Sequence, residues 1–289
     1  MAPAPLPAPV PLALPDTTVC KRPTAMANIG CVHLVGSGPG DPDLLTLKAR
    51  RLLDEADVVV YDRLVSAEIL ALVPTGTARI SVGKQPRCHP VPQHEINELL
   101  VRLAYSGRTV VRLKGGDPFL FGRGSEEAAH LRAQGVPFTV VPGVTSASGC
   151  AAAVGIPLTH RGLASGVRFV TGHCRDDGDL DLDWDGLADP DTTLVVYMGM
   201  ANIPQIAVLL IAHGLPESTP AAAIANGARR NQQHVVSTLG EIAAVAAAAD
   251  LGGPVLFIIG RVVEKAAELS DGPGVGSRPL DGRGATCLG

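Results

Sequence analysis

Three stretches carry glycine, proline, hydroxyl and carboxylate residues at a density beyond what turning a backbone requires. They are Gly36-Ser37-Gly38-Pro39-Gly40-Asp41-Pro42-Asp43-Leu44, Lys114-Gly115-Gly116-Asp117-Pro118-Phe119-Leu120-Phe121-Gly122-Arg123-Gly124 and Val141-Pro142-Gly143-Val144-Thr145-Ser146-Ala147. Glycine lets the backbone come close to a ligand. The first stretch superficially fits a dinucleotide fingerprint, but a G-x-G-x-x-G series needs glycine at 41, and Asp41 puts a carboxylate where a pyrophosphate would sit. Asp41 reads instead as an N-cap, with Pro42 as the first helical residue and Asp43 in the first turn, so that the helix is capped internally and the glycines approach an uncharged part of a ligand. A plain tight turn is the competing reading. In the second stretch, Asp117 beside two glycines suits a ribose hydroxyl or an ammonium. In the third, Thr145 or Ser146 caps a helix.

These loops are positioned by alternating strands and helices. Apolar, β-branched runs at 32–35, 58–61, 78–81, 109–113 and 138–141 predict strands, and helical spacing at 46–56 and 125–134 predicts helices, the second closed by Gly135. A second series follows Gly155-Ile156-Pro157, with strands predicted at 167–171, 193–198, 221–225, 235–238 and 255–259. The alternation predicts an α/β fold with a largely parallel sheet, in which the loops after the strands' carboxyl ends converge on one crevice. A boundary is expected near 143–160. Asp176 to Asp191, acidic around Trp184, reads as an exposed loop with one packed anchor. Residues 1–27 alternate proline with alanine and leucine without a basic start, which predicts a disordered extension rather than a secretory signal, with Met26 as a candidate start. The glycine- and proline-rich tail after about Ser270 is expected to be disordered as well.

Composition excludes several classes. The chain has 289 residues, 46% hydrophobic, and no apolar run approaches the roughly 18 residues of a membrane span. Residues 30–175 hold 16 Lys/Arg against 12 Asp/Glu, and residues 176–289 hold 6 against 15, so the basic excess sits with the glycine loops and suits a polyanionic ligand. A net charge of −4, 3% aromatic residues and no clustered basic run disfavour nucleic acid. Six scattered cysteines without a C-x-x-C pair support neither a zinc site nor a disulfide framework, and fit a reducing cytoplasm. His33, His160 and His173 lack metal-ligand spacing and read as loop or core histidines.

In chain order the strings GSGPGDPDLLTLKA (36–49), ADVVVYDRLV (56–65), VGK (82–84), GGDPFLFGRG (115–124), VPGVTSA (141–147), GIPLTHRG (155–162), VRFVTGH (167–173) and VVYMGM (195–200) make the chain resemble the tetrapyrrole methylases from 32 to about 263. YDRLV, FGRG and GIPLTHRG point within them to the uroporphyrinogen branch. The resemblance implies two α/β domains, 28–150 and 151–268, with the cofactor cleft between them and flanks at 1–27 and 269–289. It implies a homodimer, a small-molecule tetrapyrrole substrate, and S-adenosylmethionine lined by Pro39, Gly115, Gly116, Asp117, Leu120, Thr145, Ser146, Met198 and Gly227. Leu120 stands where isoleucine occurs in relatives, and strand core is the competing reading of Met198. Two methyl transfers to carbons 2 and 7 of uroporphyrinogen III are implied, giving precorrin-2 for sirohaem or cobalamin synthesis, without metal. Asp62 is the implied proton acceptor and Lys84 the donor, an ion pair or cap being the alternative for Asp62. The substrate's eight carboxylates call for cations, and Arg63, Arg112, Arg123 and Arg161 are the candidate clamps. Competing readings are a methylase of a later corrin intermediate, a noncatalytic tetrapyrrole carrier, and an NAD-dependent oxidoreductase, the last weakened by Asp41 and by the lack of an upstream dinucleotide-binding segment.

Overall fold

The computed structural model describes residues 29–83, 91–173 and 180–270. All ten apolar runs are strands. β1 (Cys31–Gly36), β2 (Val58–Tyr61), β3 (Ala78–Ser81), β4 (Thr109–Lys114) and β5 (Phe138–Val141) form one sheet, in the order β3-β2-β4-β1-β5, parallel throughout. Its inner strands β1, β2 and β4 read as largely apolar runs because both faces are covered. Val32, Leu34, Val58, Val60 and Val110 pack on one face under α3 (Gln93–Tyr105) and α4 (Gly124–Ala133). Val35, Val59, Val111 and Leu113 pack on the other, under α1 (Leu47–Glu55) and α2 (Ala67–Ala71). Local signals set the helix ends: Asp41 caps a 3₁₀ turn over Pro42–Leu44, Thr46 Oγ1 accepts the Ala49 N–H at 3.1 Å to start α1, and Gly135, at φ +65°, follows α4.

The second sheet corrects the expectation of parallel strands. β6 (Gly166–Thr171) pairs parallel with β7 (Thr192–Tyr197), but β10 (Val255–Ile259) runs antiparallel to β7 and to β8 (Pro220–Ala225), and β9 (Gln233–Thr238) antiparallel to β8, in the order β6-β7-β10-β8-β9. This sheet too is covered on both faces, so its inner strands carry the unbroken apolar signal usually read as parallel. Leu194, Val196, Ala221, Ala223, Phe257 and Ile259 pack with α7 (Ile203–Ala212) and α8 (Ile242–Ala248). On the opposite face Val195, Ala222, Ile224 and Ile258 pack with α5 (Ser146–Ala153), the helix that follows β5.

The acidic stretch is also more ordered than expected over its described part. Leu180 and Leu187 are buried, and Trp184–Leu187 forms a short helix, α6, whose Gly186 N–H is capped by Asp183 at 3.1 Å. Trp184 is the packed anchor predicted for it. Helix α9 (Lys265–Ser270) runs two residues into the segment read as tail.

Candidate functional site

In the first sheet β1 lies between β4 and β5, so the loops leaving these three strands are neighbours, and all three glycine stretches meet there. The Ser37 N–H donates to Lys114 O at 2.8 Å, and Gly38 and Gly116 exchange two backbone hydrogen bonds of 3.1 and 2.8 Å. A Cβ on Gly36 would lie 2.6 Å from both Gly116 O and Gly143 N, and one on Gly143 would collide with Gly116 O. Gly116 itself holds φ +65°, which a side chain would strain. Asp117 ties the loops together: its Oδ1 accepts the Phe119 N–H at 2.8 Å and its Oδ2 the Gly143 N–H at 3.1 Å. Each oxygen keeps a lone pair for a ligand.

The second sheet presents the carboxyl ends of β6, β7 and β8 at this junction. Tyr197, the last residue of β7, places its hydroxyl 2.6 Å from Thr145 Oγ1 and 3.0 Å from the Ala147 N–H. Thr145 therefore occupies the N-cap position of α5 without capping it by its own side chain, and the cap comes from Tyr197 instead. Phe121 packs on the Tyr197 ring at 5.0 Å between centroids, with Phe169 edge-on at 6.1 Å. Met198 is half-exposed at φ +54°, just past β7 rather than in the strand core. After β8, Gly227 lies against Cys150 of α5, where a Cβ would overlap the sulfur. Burial raises the Cys150 thiol to about 11, so it behaves as an inert apolar group. Arg229 reaches back across the junction, donating from Nε to Pro39 O at 3.2 Å and from Nη2 to Leu64 O at 2.6 Å, with its stem over Gly40. Pro39 in turn packs on Gly149, and Gly115 on Leu64. Ser146 Oγ lies beside Gly116, and Leu120 is half-buried in the second loop.

Asp62 follows β2 at the same edge. Its Oδ1 accepts the Leu64 N–H at 2.9 Å and its Oδ2 lies 3.8 Å from Arg112 Nη2. Arg112, expected as a substrate clamp, is 2% exposed. The pleat explains this correction: Val110, Arg112 and Lys114 share the β4 face that α4 covers, where Glu127 projects inward. Arg112 Nε donates to Glu127 Oε1 at 3.0 Å, and Lys114 Nζ to the same oxygen at 3.1 Å. Burial, then the neighbouring Arg112, lowers the Lys114 ammonium from its ordinary value, against the pull of Glu127 and Asp62. The other three candidate clamps lie at the surface. Arg123, at φ +58°, forks onto Glu126 at 2.9 and 2.7 Å; Arg63 is exposed with its backbone against Gly83; Arg161 is exposed in the turn after α5. Lys84 lies outside the described residues. Sequence reasoning missed Tyr197, Arg229, Lys114 and Glu127. The β4 pleat could have exposed Lys114, but nothing in local sequence marks the other three.

A family model described as tetrapyrrole (corrin/porphyrin) methylases matches residues 31–243. The chain is 54% identical over 242 residues to uroporphyrinogen-III C-methyltransferase of Paracoccus denitrificans, covering 84% of each chain. It is 57% identical over 234 residues to siroheme synthase of Methylococcus capsulatus, covering 81% of this chain but only 49%, about half, of that one. Among solved structures, uroporphyrin-III C-methyltransferase of Thermus thermophilus complexed with S-adenyl homocysteine superposes with a TM-score of 0.70 at 44% identity, covering 81% of this chain and 99% of that one.

Proposed function

The chain belongs to the tetrapyrrole (corrin/porphyrin) methylases, and from that premise we propose that it methylates uroporphyrinogen III at carbons 2 and 7 with S-adenosylmethionine, giving precorrin-2. The observation that carries this reading is the meeting of three glycine loops, backbone against backbone, beside Asp62, with Tyr197 and the Arg229 loop closing on them from the second sheet. The junction fits a methyl donor better than a dinucleotide, because Asp41 spends its carboxylate on the Asp43 N–H and leaves no anion-binding helix terminus.

When bound, S-adenosylmethionine supplies an electrophilic methyl: its C–S bond breaks, a bond to a pyrrole carbon forms, and sulfur keeps the electron pair as neutral S-adenosylhomocysteine. Pro39, Gly115, Gly116, Asp117, Leu120, Thr145, Ser146, Met198 and Gly227 hold the donor, and alignment supplies most of the acceleration. The macrocycle, left with a positive charge, sheds a proton to Asp62 Oδ2, and Lys84 serves as proton donor to the ring, each residue exchanging its proton with solvent to complete the cycle. Arg63, Arg123 and Arg161 meet the substrate carboxylates. The chemistry calls for no metal, since the methyl is already activated. The resemblance supports a homodimer acting on a free small molecule, and the cysteine spacing supports the cytoplasm. Among the described residues no helix is long and apolar enough to cross a membrane.

Anaerobic incubation with S-adenosylmethionine and enzymatically made uroporphyrinogen III, followed by oxidation, tests the reaction. The dimethylated product is expected, and its absence overturns the reading. Asp62→Asn retains the oxygen that caps Leu64 and should bind S-adenosylhomocysteine normally while kcat falls by about 100-fold or more. Parental turnover in that variant would remove Asp62 as proton acceptor.

A further inference from the structure

One buried feature is unused by that reaction: the charge cluster beneath Asp62. Glu127 is fully buried, and its Oε1 accepts from Arg112 at 3.0 Å, Lys114 at 3.1 Å and Gln93 at 3.3 Å. Its Oε2 has no hydrogen-bond partner among the described residues. Crowding three donors onto one oxygen and leaving the other bare is a poor device for stability alone, since apolar side chains of similar volume would fill the space without desolvating three charges. The cluster is unbalanced as well. Two buried cations face one buried carboxylate, and neutrality is reached only by counting Asp62, whose Oδ2 lies 3.8 Å from Arg112 Nη2 and whose side chain is 25% exposed. Asp62 is thus the outer member of a four-charge row that runs from the interior of the first sheet to its carboxyl edge.

We infer that Glu127 is a positioning residue for Asp62: by taking up Lys114 and the Nε side of Arg112, it leaves a single guanidinium nitrogen directed at Asp62 and keeps the two cations from closing on that carboxylate. The inference rests on Asp62 being the proton acceptor. With one lateral cation at 3.8 Å, Asp62 is held in place while its side chain stays 25% exposed, whereas two cations closing on it would occupy the oxygen that has to meet the substrate. The Arg112 Nη1 group is steadied from behind by Val60 O and Leu113 O, at 3.5 and 3.3 Å, so the guanidinium cannot swing freely when Glu127 changes.

Glu127→Gln keeps the shape and removes the charge. It should lower kcat roughly tenfold, while the S-adenosylhomocysteine Kd and the uroporphyrinogen III KM stay within about twofold. Adding Lys114→Met restores one cation per carboxylate and should return kcat to within about threefold of the parent. A merely structural Glu127 would lower the melting temperature, leave kcat alone and gain nothing from the second change. Parental kcat in the single variant, or a double variant no better than the single, overturns the inference. Should Glu127→Gln fail to fold, Arg112→Lys preserves the cation on Glu127 but withdraws the nitrogen facing Asp62, and the same kcat loss is expected at unchanged cofactor affinity; parental kcat there is equally fatal. The Asp62→Asn variant separates the two layers. If it turns over normally, the proton-acceptor reading and this inference fall together; if it is slow while Glu127→Gln and Arg112→Lys are not, only this inference falls.

Discussion

Tyr197 shows how much one hydroxyl does at the junction. It ends a strand of the second sheet, satisfies the Ala147 N–H that opens α5 and shares a hydrogen bond with Thr145. Burial pushes its phenol above the ordinary value, so it stays neutral through the working pH range. Tyr197→Phe keeps the ring against Phe121 and deletes only the hydroxyl. Losing about 1 kcal/mol of capping and hydrogen bonding should raise the S-adenosylhomocysteine Kd about fivefold by calorimetry; unchanged affinity would mean that α5 needs no cap from across the junction. His33 makes a pH prediction. It is buried in β1 with Nδ1 2.7 Å from Thr139 Oγ1, and burial first, then Lys48, lowers it from 6.5 against the opposing pull of Glu55. The unfolded chain therefore binds a proton more readily than the folded one, so this share of stability is full above pH 6.5 and lost as pH falls below it. Melting temperature should decline between neutral pH and pH 5, and a His33→Gln variant should show a shallower decline.

At the scale of elements, α4 begins in an unusual way. Arg123 precedes it in the left-handed region at φ +58° and makes no side-chain cap, forking instead onto Glu126 one turn on. A left-handed arginine strains the backbone, and a surface ion pair returns little of that. Arg123→Gly should leave stability within about 1 kcal/mol of the parent by chemical denaturation. The KM for uroporphyrinogen III should rise roughly tenfold if the guanidinium meets a substrate carboxylate; an unchanged KM would remove Arg123 from the clamp. The elements themselves were largely legible, because strand runs, the Thr46 cap and Gly135 are properties of neighbouring residues. Strand direction in the second sheet was not read, although a clue was present. The gap between the predicted runs at 221–225 and 235–238 is too short for the dozen or so residues of a parallel crossover, and β8 and β9 are joined antiparallel.

For the whole molecule, the question is what holds the two sheets in register across the junction. Beside the packing of α5 on the second sheet, Tyr197 is one polar tie and Arg229 another, the latter reaching Pro39 and Leu64 from the loop after β8. Burial lowers the Arg229 guanidinium from its ordinary value, with Cys150 and Glu68 opposing, and it stays charged throughout. Arg229→Ala should cost about 1–2 kcal/mol of stability and raise the S-adenosylhomocysteine Kd roughly tenfold. Full affinity in that variant would show that the halves keep their spacing without it. The charge asymmetry also looks different in three dimensions. Among the described residues of 30–175, Arg112 and Lys114 are internal and so is Glu127, so the basic excess facing a polyanionic ligand is smaller than the count suggested.

The sequence by itself determined the glycine loops, the Asp41 cap that rules out a pyrophosphate site, the ten strands and the family, because each depends on short-range chain chemistry or on strings read in order. Only the tertiary structure decided that Asp117 links two loops, that Thr145 is capped from across the junction, and that Arg112 is an interior charge paired with Glu127. Those facts turn on which face of β4 a helix covers and on which strand ends meet. Residues 85 positions apart in the chain, Asp62 and Ala147, share one edge because β2 and β5 run parallel in the first sheet, and residues far apart such as Tyr197 and Thr145 meet only because the second sheet docks there; no local pattern encodes either distance.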